Sequence, residues 1–253
     1  MTQAPLFMIV FVRTSMIFAT AIFFNNRSII APVKAALILI ISFLLFPVLP
    51  TANWIIPGEL PGFLIFLLQE MVVGILIGYA IVILFMAIEL AGRLLSFQMS
   101  FSMASTFDPT FGEQIDLVGA FLVFFSTLIF LLLGGDHLVL KTLAISFVML
   151  PPGQVATGGN LIQLLIKLLN NAFLTGFKLA SPAIVILLLV DLVLGIVGKA
   201  SSKMQIFFLG MPLKVAVGLF CITGVLGFII TVWGRDVSHL PEAMSQMLEL
   251  ARR

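Results

Sequence analysis

Six apolar runs constrain this chain more than any other feature: about residues 6 to 24, 33 to 49, 62 to 91, 117 to 150, 179 to 198 and 206 to 233. A helix that crosses the hydrocarbon core needs about 20 such residues, with a working range of about 17 to 25, and each run meets that length. Backbone polar groups find no water in lipid, so spanning segments are helices or the strands of a closed barrel. The ten-residue alternation of a barrel strand is nowhere in the sequence, which leaves an all-α, multi-helix membrane protein. Composition agrees: 61% of residues are hydrophobic and 9% charged, with a mean hydropathy of +1.25, where soluble domains carry about a quarter charged. The third and fourth runs exceed one crossing. Gly134, Gly135, Asp136 and His137 interrupt the fourth, which predicts two shorter helices there.

Between the runs stand turn signals, at Asn25, Asn26, Pro50, Pro57, Gly58 and Pro61, at Asp108-Pro109, and at Pro151, Pro152, Gly153, Gly158 and Gly159. No interval is long enough for a second domain, so residues 1–253 form one helical module. The first run carries Arg13 in mid-segment and has no positive leader region, so it reads as a retained helix and not a signal peptide. Lys and Arg are spread over alternate loops without a bias that orients the chain. A net charge of +2, without a basic stripe, sets nucleic acid aside. The single Cys221 lies in an apolar run and reads as a small core hydrophobe. No metal-ligand motif, nucleotide loop, serine elbow or other catalytic signature occurs, so no cofactor and no enzyme activity is expected. Asp136 beside His137 could relay a proton, although a histidine in a short turn is more often simply hydrogen-bonded.

Charges inside the runs matter more than the lengths of the runs. Arg13, Glu70, Glu89, Asp191 and Lys214 sit within or at the ends of apolar segments. On insertion scales a charge at mid-bilayer costs about 2.5 to 3.5 kcal/mol, so such groups face protein, water or one another. Two readings stay open: an ion or proton path, or neutralisation at helix contacts, with Arg13–Glu70 and Asp191–Lys214 as candidate pairs. Gly74 and Gly78 are spaced to let two helices approach closely.

The segment Gln98 to Asp116 fits no simple span. It mixes Met99, Phe101, Met103, Phe107 and Phe111 with hydroxyls and carboxylates, and Asp108-Pro109 disfavours helix at its centre. Those apolar side chains are costly in water, so the loop should pack inside something. Flexible Met and bulky Phe suit a deformable seal, and an ordinary membrane-surface loop is the alternative.

Taken in order, Phe11-Val12-Arg13, Pro32-Val33-Lys34, Gln69-Glu70 with Gly74 and Gly78, the stretch Met99 to Pro109, Gly135-Asp136-His137, Ser146 to Pro151, Ser181 to Gly195, and Gly210-Met211-Pro212-Leu213-Lys214 with Gly218 resemble the FliR family of flagellar export-gate proteins over nearly the whole chain. One departure is the turn at Lys199 to Gln205, where the family's Arg-x-x-Pro-Gln keeps its glutamine and loses its proline. The resemblance implies a subunit of the flagellar type III secretion export gate, in the bacterial inner membrane and raised toward the periplasmic side. It implies assembly with several copies each of FliP and FliQ, contact with FlhB, FlhA nearby, and passage of exported unfolded proteins. It also implies a FliP-like part at about 1–170 and a FliQ-like hairpin at about 171–253. In the family the loop that matches Gln98 to Asp116 plugs the closed pore, which points to Met99, Phe101, Met103, Phe107, Asp108, Pro109 and Phe111, while Arg13, Glu70, Asp191 and Lys214 would be intramembrane or inter-subunit charges. A virulence-type export gate is the nearest alternative, because Phe207 to Lys214 is similar there too. A small-solute permease or an intramembrane enzyme would need sites that the sequence does not display.

Overall fold

A computed structural model describes residues 3–21, 30–49, 54, 57–101, 116–154, 159–200 and 206–252. Among these residues there are eight α-helices and no strand. They are α1 (Gln3–Thr20), α2 (Ala31–Leu45), α3 (Leu60–Gln98), α4 (Leu117–Leu132), α5 (Gly135–Met149), α6 (Gly159–Ala200), α7 (Ile206–Phe228) and α8 (Gly234–Arg252), with a 3₁₀ turn at Phe46–Val48 and a π-helical turn at Ile229–Trp233. Among the described residues, five stretches are long and apolar enough to cross a membrane: Gln3–Thr20, Ala31–Val48, Leu60–Gln98, Ile162–Lys199 and Gly210–Ala251. The pair α4 and α5 qualifies only as one bent span.

Local chemistry accounts for several boundaries. Pro32 sits in the first turn of α2, where its missing N–H is no loss. The fourth run breaks where the interruption by glycines predicts: Gly134 adopts φ +71°, a left-handed conformation that ends α4 and precedes α5. The fifth run, by contrast, begins twenty residues earlier than its hydropathy suggests, at Gly159, because an amphipathic turn pattern carries the helix through Asn170 and Asn171. The last helical stretch continues past residue 233 to Arg252 for the same reason. Pro182 and Pro212 lie inside α6 and α7, where neighbouring helices can re-satisfy the freed carbonyls.

The chain separates into two compact units. The first comprises residues 1–83, 134–169 and 237–253. Here α1 and α3 run parallel with their backbones nearly touching. A Cβ placed on Gly74 would lie 2.7 Å from the Arg13 carbonyl oxygen, and one on Gly78 would overlap the Thr20 hydroxyl. Ile9, Ile17, Phe18, Ile81, Leu143 and Leu150 fill the core beside them. The amphipathic α8 lays Leu240, Met244, Met247, Leu248 and Ala251 inward, and four of these line a small apolar void with Val73, Leu76, Ile77 and Leu150.

The second unit comprises residues 84–133 and 170–236. Its core is an aromatic cluster in which Phe85 meets Trp233 at 5.1 Å and Phe130 at 5.6 Å, both edge-on. Trp233 is fully buried, and its indole N–H donates to the Leu84 carbonyl at 3.3 Å. The helices α3 and α4 run antiparallel, packed backbone to backbone at Gly92 and Gly119. The helices α6 and α7 are antiparallel as well, since Leu194 meets Gly210 while Asp191, one turn earlier, meets Lys214, one turn later. Much of α6 and α7 presents apolar side chains outward, among them Leu189, Val193, Leu219 and Phe220.

Candidate functional site: two charge clusters and the base of a loop

In the first unit Arg13 is wholly enclosed. Its Nε donates to Glu70 Oε2 at 2.6 Å, its two terminal nitrogens donate to Ser146 Oγ and to the Leu150 carbonyl, each at 3.1 Å, and its guanidinium carbon lies 4.1 Å from the centre of the Phe147 ring. Glu70 is equally buried, and its second oxygen, Oε1, has no hydrogen-bond partner among the described residues. One cation thus ties α1, α3 and both the body and the end of α5. A lone charge here would be ruinous, but a planar guanidinium with a carboxylate, two further acceptors and an aromatic face is a satisfied one. Neither side chain reaches the surface of the chain, so in this form neither offers its charge to another subunit.

Asp191 and Lys214 are paired differently. Lys214 Nζ lies 2.5 Å from Asp191 Oδ1, with the side chains 17% and 38% exposed. The other carboxylate oxygen, Oδ2, accepts from the Gln98 side-chain amide at 3.1 Å. The pair therefore sits beside the exposed apolar side chains Leu192, Val193 and Leu213, and it also reaches the last residue of α3. Glu89, at the end of the third run, forms an exposed i,i+4 pair with Arg93 at 2.5 Å. Asp136 and His137 make an exposed contact at 3.0 Å between adjacent residues.

Of the loop residues, Met99 is fully buried and Phe101 partly so. Met103, Phe107, Asp108, Pro109 and Phe111 lie outside the described residues. The base of the loop is well defined. Met99 packs on Gly218, where a Cβ would come within 2.5 Å of the methionine Cγ and Cε. Ser100 follows with φ +66°, a rare conformation outside glycine. At the other end Asp116 caps α4 by accepting from the Gly119 N–H at 2.9 Å and from the Ser96 hydroxyl. The partners of Ser96, Gln98 and Ser146 are not legible in the sequence, because a neutral polar side chain does not announce partners 20, 93 or 133 residues away.

The helices and the paired charges inside them define a multi-helix integral membrane protein. The family described as "Bacterial export proteins, family 1" matches residues 4–240. Among curated relatives, the flagellar biosynthetic protein FliR of Bacillus subtilis is 28% identical over 97% of this chain and 95% of its own length. That of Pectobacterium carotovorum is 32% identical over 91% and 86%, and that of Escherichia coli K12 is 28% identical over 86% and 82%. The chain belongs to this family of bacterial export proteins, the FliR family, and is a membrane component of a flagellar export apparatus.

Proposed function

We propose that the chain is a core subunit of the flagellar export gate, forming with FliP and FliQ a channel that is closed at rest and opens to pass unfolded flagellar proteins. The observation that carries this reading is the partly exposed Asp191–Lys214 pair, set among the outward-facing apolar side chains Leu192, Val193 and Leu213 of α6 and α7. A charge pair on such a face is expensive against lipid, so protein covers it, and helices of kindred subunits are the fitting cover. The partition into a FliP-like part at 1–170 and a FliQ-like hairpin at 171–253 belongs to the same proposal, as do contact with FlhB, nearby FlhA, and a position in the inner membrane raised toward the periplasmic side. Within the gate, the segment Gln98 to Asp116 acts as the plug. Hydrophobic constrictions block water and ions by dewetting, and a loop that seals in this way can be displaced by a passing chain. No bond chemistry is needed.

Purification in mild detergent with intact-mass measurement tests the assembly. Recovery with FliP and FliQ is expected, and recovery alone or only as a homo-oligomer would overturn the reading.

A further inference from the structure

Helix α2 stands apart from the other apolar helices in how little of it the chain itself covers. Only 11% of the stretch Ala31–Val48 is buried, and a helix that is apolar all round without being core is suited to a solvent other than water. It packs against α1, its buried residues are Ile38 and Ser42, and Val33, Leu39, Ile40, Phe43, Leu44 and Val48 are exposed. Ser42 leaves no polar group over, since its hydroxyl donates to the Ile38 carbonyl at 2.7 Å. Either a helix of another protein or lipid covers such a surface. Close helix contacts in membranes use small residues and polar side chains, whereas from Leu37 to Val48 there is no glycine, no charge and no polar side chain besides Ser42. Helix α6 differs in this respect: exposed Gly195 lies one turn beyond Asp191. Length agrees with lipid, because 18 residues at about 1.5 Å each reach about 27 Å, near the roughly 30 Å of a hydrocarbon core.

The one charge of the stretch is Lys34, in the first turn of α2, half-buried and without an ion pair among the described residues. The helix dipole is positive at that end, so α2 itself offers the cation nothing. A lysine so placed can lay its apolar stem along the helix and hold its ammonium at the level of the headgroups. We propose that α2 faces lipid in the assembled protein: acyl chains cover its outer side, and Lys34 pairs with a headgroup phosphate. Such a contact holds whether or not the chain belongs to a gate, and it gives α2 a different neighbour from the one that the Asp191–Lys214 pair calls for.

The test places single nitroxides at Val33→Cys, Ile40→Cys, Val48→Cys or Val193→Cys in a Cys221→Ser chain. All four positions are exposed, so the labels spare the core. The whole assembly is reconstituted into vesicles of phosphatidylcholine and phosphatidylglycerol, and power saturation reads collisions with molecular oxygen, which concentrates among acyl chains, and with a water-soluble nickel chelate. The oxygen-to-nickel ratio at Ile40 should be several-fold higher than at Val33 and Val48, toward the two ends of the stretch. Lys34→Leu should raise the ratio at Val33 and leave that at Ile40 as it was; an unmoved Val33 overturns the role of Lys34. A label at Ile40 shielded from both reagents would mean that protein covers α2, and one open to the nickel chelate that water does; either overturns the lipid contact. Val193 lies on the face that the gate reading gives to neighbouring subunits, so it should be shielded from both reagents. Oxygen reaching Val193 and Ile40 alike leaves α2 in lipid and counts against the gate instead.

Discussion

Arg13 and Glu70 form a 2.6 Å ion pair with neither side chain exposed, joining α1 to α3 where their backbones are closest. Each is tolerable in the membrane interior only because of the other. Removing one partner of a buried pair costs about 3 to 5 kcal/mol, since it leaves an uncompensated charge. Arg13→Met and Glu70→Gln should each sharply lower the steady-state level and the detergent melting temperature of the protein. The double variant Arg13→Met/Glu70→Met should be less harmful than the two single effects summed, which a double-mutant cycle on melting temperature checks.

Close approach of α1 and α3 depends on Gly78. Alanine there would drive its methyl into the Thr20 hydroxyl, and overpacking of this kind costs about 1 to 3 kcal/mol. Gly78→Ala should lower thermal stability, and Thr20→Ala in the same chain should recover part of the loss by clearing the hydroxyl.

Trp233 anchors the second unit between Phe85 and Phe130. Trp233→Ala should destabilise by about 3 to 5 kcal/mol, as large-to-small core changes do. Trp233→Phe, which loses the bond to the Leu84 carbonyl but keeps most of the volume, should lose less. Thermal melts of the two variants side by side check the order.

Much of this is legible in the sequence. Apolar runs of spanning length reveal a helical membrane protein because lipid permits so few alternatives, and the glycine pair at 134 and 135 marks the break in the fourth run because a left-handed residue cannot continue a helix. Arg13 pairs with Glu70, and Asp191 with Lys214, as a balance of buried charges requires. Hydropathy misjudged the start of α6 and the end of α8, since amphipathic helices do not raise a mean. Glu89, at the end of the third run, likewise faces a countercharge, its i,i+4 partner Arg93 at the surface of the chain. Trp233, at the edge of an apolar run, belongs to the core, a role that its place in the sequence does not reveal. The base of the loop was invisible for another reason: Ser96, Gln98 and Gly218 acquire meaning only when folding brings them to Asp116, Asp191 and Met99.

The central claim is that the segment Gln98 to Asp116 seals a channel built around this chain, and deletion of residues 104–112 tests it most directly. The deletion spares both feet of the loop and all the packing around them. Membrane-potential dyes and growth in high salt then report whether the assembled gate leaks. A variant that still co-purifies with FliP and FliQ yet depolarises the membrane is the predicted result, and an assembled variant with unaltered ion permeability would contradict it.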